Sequence, residues 1–151
     1  MSASVDMLHH VSLGVRDIEV SARFYDAVLS ALGYVRVWSD LRPGEEGQAV
    51  GYGLPGRGDR LALKELASDQ LAPGRGFHLA FAAPSRTAVH RFHEAALHHG
   101  GEDNGAPGLR PHYGEHYYAA FAIDPDGHRL EAVINEVSVG DGRSGGAASN
   151  T

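Results

Sequence analysis

The sequence contains no cysteine. That absence excludes disulfides, thiolate nucleophiles and thiolate metal sites together. Any metal would have to be held by imidazole and oxygen ligands. Long apolar runs are missing as well: nothing approaches the roughly 18 consecutive apolar residues of a membrane span. The first residues, Met1 to Asp6, have no basic stretch leading into an apolar block, which argues against a secretory signal. These absences lead to the expectation of a cytoplasmic protein that does not engage a membrane. Positive charge is scarce too. Thirteen Lys and Arg stand against 19 Asp and Glu, for a net charge of −6, so the basic footprint of a nucleic-acid binder is lacking.

What the chain has in excess is histidine, with 10 residues, and glycine, with 20. Its 151 residues suffice for one domain, or for two small modules sharing a core. An internal repeat favours the second arrangement. At an offset of 68 (78 − 10), His10 falls on His78, Arg23-Phe24 on Arg91-Phe92, Ala27 on Ala95, Leu29 on Leu97 and Gly33 on Gly101. At an offset of 69 (127 − 58), Gly58 falls on Gly127, Arg60 on Arg129 and Leu61 on Leu130. One inserted residue in a loop accounts for the slip. The division is therefore module one over about 8–66 and module two over about 76–135, in a single domain ending near 139. The polar tail, 140–151, has little to bury and is expected to be disordered.

Each half has the same local grammar. Leu8 to Val15 and Gly76 to Ala83 read as strands. Asp17 and Ser85 are good helix N-caps, and apolar residues follow each at helical spacing. Gly33 and Gly100-Gly101 stand where helices should end. Three short strands follow in each half: 34–39, 49–53 and 60–66, then 101–104, 117–123 and 129–134. The turn sequence Asp124-Pro125-Asp126-Gly127 joins the last two. Residues 41–48 and 105–116 read as irregular loops.

Strand alternation turns this grammar into a candidate site. Val11, Leu13 and Val15 share one face of the first strand, leaving His10, Ser12 and Gly14 on the other. Leu79 and Phe81 oppose His78, Ala80 and Ala82 in the fifth. In the last strand Leu130, Ala132 and Ile134 face the helix, which places Glu131 with the small residues. Small side chains beside a histidine leave space, so this face reads as the lining of a cup. Two imidazoles and a carboxylate converging there fit a divalent metal with open positions; zinc, iron, manganese, nickel and cobalt all suit such donors. On the same lining the alternation puts Lys64 and Tyr118, with Arg110, His112 and Tyr113 contributed by the long loop. His98 and His99 suit a helix C-terminus, and His90, His93, His116 and His128 read as solvated surface residues.

Three segments, H-V-S-L-G-V-R-D-I-E-V-S-A-R-F-Y (10–25), F-H-L-A-F (77–81) and D-P-D-G-H-R-L-E (124–131), resemble the vicinal oxygen chelate superfamily of glyoxalases, bleomycin- and fosfomycin-resistance proteins and extradiol dioxygenases. The resemblance runs from Leu8 to about Asn135. It implies an α+β fold of two βαβββ modules forming an eight-stranded half-barrel cup with helices outside. It also implies a divalent metal held by His10, His78 and Glu131, a small-molecule substrate bound through vicinal oxygens, and a homodimer. Members resembling glyoxalase I take a fourth, carboxylate ligand from the fourth strand. Here the repeat places Ala62 at that point, Lys64 is the next residue on the same face, and Glu65 faces away. A three-ligand enzyme of lyase, isomerase or dioxygenase type is thus the leading expectation, with Lys64, His112, Tyr113 and Tyr118 as catalytic candidates and Arg110 as a substrate-binding one. The other is a metal-free protein that sequesters a drug or metabolite, as bleomycin-resistance proteins do.

Overall fold

A computed structural model describes residues 7–136. The polar tail expected from residue 140 lies outside the described residues.

The first module runs β1 (Val11–Val15), α1 (Ile18–Ser30), β2 (Val35–Asp40), β3 (Ala49–Gly53) and β4 (Leu61–Glu65). The second repeats it with β5 (Leu79–Ala82), α2 (Arg86–His98), β6 (Glu102–Leu109), β7 (Tyr117–Ile123) and β8 (Arg129–Asn135). The fold is α+β, with two four-stranded sheets of order β1-β4-β3-β2 and β5-β8-β7-β6 and no closed barrel. In each sheet the pair that holds the module's first strand, β1–β4 or β5–β8, is parallel and the other two pairs are antiparallel. The register repeats with the sequence: Val11 pairs with Leu61 as Leu79 pairs with Leu130. Ala62, opposite Ser12, therefore stands where Glu131, opposite Ala80, stands in the second sheet.

The helices begin where their caps are. The Asp17 carboxylate accepts the N–H groups of Glu19 and Val20, and Glu65 accepts that of Ile18. Ser85 accepts the N–H of Ala88. These bonds satisfy donors that a helix start otherwise leaves unpaired. Both helices turn out through glycines at positive φ, Gly33 at 94° and Gly100 at 97°, a conformation that costs glycine nothing. Leu13, Val15, Tyr52, Leu63, Leu130 and other bulky strand residues pack beneath the helices and form the core. The opposite sheet faces keep Ser12, Lys64, Ala80 and Ala82 exposed. On the first sheet the Trp38 indole packs against Gly51, and a Cβ at position 51 would collide with it.

The β7–β8 turn ties the modules together, and α1 packs on α2. The Tyr25 phenol donates to Asp124 Oδ2 at 2.6 Å, and the Ser21 hydroxyl and Arg16 N–H donate to Asp126 at 3.1 Å each. His128, across from them, bonds the Gly14 carbonyl at 2.9 Å through Nε2. Burial and the nearby Asp124 push the Tyr25 phenol well above its ordinary value. Burial raises Asp124 as well, against the hydrogen bonds that it accepts.

Three expectations differ from what is observed. Residues 105–109, read as loop, continue β6: the strand lies at a sheet edge, where Pro107 is tolerated, and it is interrupted by pairing shifts around Gly105. His128 and His93 are buried, His93 against Asp103 at 2.9 Å. The predicted β1 and β5 begin late, so that His10 and His78 each precede their strand. Among the described residues no helix is long and apolar enough to cross a membrane.

Candidate metal centre

The D-P-D-G turn fixes the pairing of β7 with β8, and counting back from Ile123↔Arg129 sets Phe121 opposite Glu131. Glu131 thus lies on the helix-free face between Phe121 and Ala80. Alanine leaves room there for the carboxylate and for the His78 ring, which arrives from just before β5. His78 Nε2 stands 2.9 Å from Glu131 Oε1, and the Tyr117 hydroxyl donates to Oε2 at 2.5 Å. Glu131 is 2% exposed and the His78 side chain 52%, so the pair has one buried end and one open end. Burial, and then the hydrogen bond and charge of Glu131, push the Tyr117 phenol up to about 12.

Aromatic rings line the approach. Phe121 meets the His78 ring edge-on with centroids 6.3 Å apart. Tyr113 lies 5.3 Å from Tyr117, and His112 lies 4.2 Å from Tyr113. Arg110 sits over Phe121, and its guanidinium donates to the carbonyls of Gly108 and Ala106 at 3.0 and 2.7 Å. It therefore braces the irregular end of β6.

The structure brings together His78, Glu131, Tyr113, His112 and Arg110. It places three other candidates elsewhere. His10 shares a 2.8 Å contact between Nδ1 atoms with His9 at the start of β1. Lys64 is exposed on the helix-free face of the first sheet, between Gly14 and Ala49. Tyr118, expected on the cup lining, points to the helix side instead, where it bonds His90 at 2.6 Å beneath Arg86. The correction is one of strand phase: Tyr117, four residues before Phe121, is the tyrosine on the Glu131 face. The turn and the period of two together carried that signal.

As a metal centre, the single chain fits in part. A buried carboxylate beside an imidazole is a suitable N,O donor pair for a divalent ion. Among the described residues, however, no three His, Asp or Glu groups stand close enough to share one. His10 instead belongs to the lining of a cavity of about 460 Å³ between the modules, with Leu29, Tyr34, Leu61, Leu79 and Phe81.

Paired βαβββ modules with a His–Glu pair on the free sheet face define a glyoxalase-like protein. The profile of the Glyoxalase/Bleomycin resistance protein/Dioxygenase superfamily matches residues 7–132, and the chain belongs to that superfamily. A glyoxalase/bleomycin resistance protein from Albidiferax ferrireducens is 30% identical, with 85% of this chain and 98% of that one covered and a TM-score of 0.64. A glyoxylase/bleomycin resistance protein/dioxygenase domain from Frankia sp. is 25% identical over 93% and 96%, with a TM-score of 0.65. A mutant of the fosfomycin resistance protein FosX from Listeria monocytogenes, complexed with Mn(II) and dihydroxypropylphosphonic acid, shares the fold at 17% identity, 89% and 94% coverage and a TM-score of 0.61. Comparison with curated proteins finds no match.

Proposed function

We propose that this protein is a divalent-metal-dependent enzyme acting on a small oxygenated substrate, with His78 and Glu131 of one chain and His10 of a second copy as metal ligands. The observation that carries the reading is the buried Glu131 carboxylate, which opens through His78 onto the helix-free face. His10 holds the equivalent repeat position in the first module and is exposed. Its sheet offers the matching free face, with Ser12, Ala62 and Lys64. A bound zinc, iron, manganese or nickel ion would supply Lewis acidity toward a carbonyl, enediolate or catecholate oxygen.

The chain's own residues account for the rest. Ala62 withholds a fourth ligand, which leaves three protein donors and speaks against the reaction of glyoxalase I. Lys64, two residues on along the same face, would hold an anionic substrate or carry a proton. Tyr113 stacks beside Tyr117 and His112 beside Tyr113, both exposed at the rim of the site. The second reading, sequestration of a drug or metabolite without metal, is favoured by the observation that the described residues of one chain bring no three such donors together.

Equilibrium dialysis against zinc or manganese tests the proposal. His10→Ala and His78→Ala should each lose binding as homodimers. Mixing the two should restore about a quarter of the sites, because random exchange makes half of the dimers mixed and one of the two sites in each mixed dimer has every ligand intact. No recovery on mixing would overturn the shared site, and parent-like binding by both variants would overturn the ligand set.

A further inference from the structure

Asn104 is the only asparagine of the chain that is followed by glycine. The pair lies where β6 leaves its ladder. Asp103 pairs with Ala122 and Gly105 with Phe121, so Asn104 is skipped and stands exposed at the sheet edge. Gly105 has a φ of 148°, a conformation open to glycine and strained for other residues. Its N–H donates to Asp103 Oδ1 at 2.9 Å, a side-chain acceptor that can turn with it.

These features favour one reaction. An asparagine side chain reaches the backbone groups next to it, and a glycine on its C-terminal side puts no Cβ in the way. The Gly105 nitrogen attacks the Asn104 side-chain carbonyl carbon, and the new N–Cγ bond closes a succinimide ring. The Cγ–Nδ2 bond breaks, and Nδ2 leaves as ammonia with the proton that Gly105 N gives up. Asp103 Oδ1, already bonded to that N–H, is placed to relay the proton. Water then opens the ring at either carbonyl and yields aspartate or isoaspartate. No metal, oxidant or ligand enters the step.

We propose that Asn104 is a site of spontaneous deamidation, and that the isoaspartate form loosens the aromatic wall beside His78 and Glu131. Isoaspartate routes the backbone through Cβ and so adds one carbon between residues 104 and 105. Gly105 has no slack to absorb it: a Cβ there would stand 2.9 Å from Phe121 Cδ1 and 3.2 Å from Arg110 Nη2. Phe121 in turn meets the His78 ring edge-on and lies opposite Glu131. The added carbon therefore has to shift Gly105 against Phe121 or away from it.

The test is to age the full-length protein at mildly alkaline pH and follow it by peptide mass spectrometry. The peptide containing Asn104 should gain the mass difference between an amide and an acid, and Asn104→Gln should abolish that gain. The folded protein should react within about tenfold of the rate of a free peptide of the same local sequence, because no ladder bond has to open first. A folded rate more than about a hundredfold below that of the peptide, or an unchanged gain in Asn104→Gln, would overturn the site. The deamidated fraction, separated by charge, should unfold at lower urea than the parent. Asn104→Asp, with the same added charge on an ordinary backbone, should unfold with the parent. Coincident unfolding of all three, or an equal loss in Asn104→Asp, would overturn the loosening of the wall.

Discussion

The buried Tyr25 phenol keeps its proton and donates it as a hydrogen bond to Asp124 across the module boundary. Because the native phenol sits above its ordinary value, the folded state keeps this proton at pH values where the unfolded chain releases it. The unfolded state then binds fewer protons, so stability falls as pH rises. The contribution is complete below about pH 10, the ordinary tyrosine value, and is lost progressively above it. Tyr52, raised by burial and by its bond to Asp26, adds to the same trend. Urea unfolding followed from pH 8 to 11 should show this decline. Tyr25→Phe should flatten the decline while lowering stability at neutral pH by about 1–3 kcal/mol, since Asp124 loses a buried donor.

At the scale of elements, the N-caps are the most exposed dependence. Asp17 serves two N–H groups of α1, whereas Ser85 serves one of α2. Asp17→Ala should cost about 1 kcal/mol in urea unfolding, with Glu65 still holding the N–H of Ile18. Both caps were legible in the sequence, because a short polar side chain before an apolar stripe has one good use. The module repeat and the face of Glu131 were legible for a similar reason: register and alternation propagate from the turn. Other features were not. The extension of β6 through Gly105 and Pro107 depends on its lying at a sheet edge, which no local composition states. His128 was read as solvated because only the packing of one module on the other buries it against Gly14. The strand pattern of β7 by itself does not say which tyrosine faces the cup; pairing with β8 sets Tyr117 on the Glu131 face and Tyr118 on the helix side.

For the whole molecule, the modules meet through their helices and the 124–128 turn, which leaves the small-residue faces of both sheets uncovered. Those faces bear Ser12, Lys64 and Trp38 on one sheet and His78, Glu131 and Tyr117 on the other. Trp38 gives this arrangement an optical consequence. It is the chain's sole tryptophan, 38% exposed, and it packs on Gly51, whose missing side chain admits the indole. Tryptophan emission would therefore report from one known point on the open face and shift with the access of solvent to the ring. Dilution that separates two copies should move the emission to the red, and a ligand seated on the face should move it to the blue or quench it, so the protein carries its own dye for assembly and occupancy.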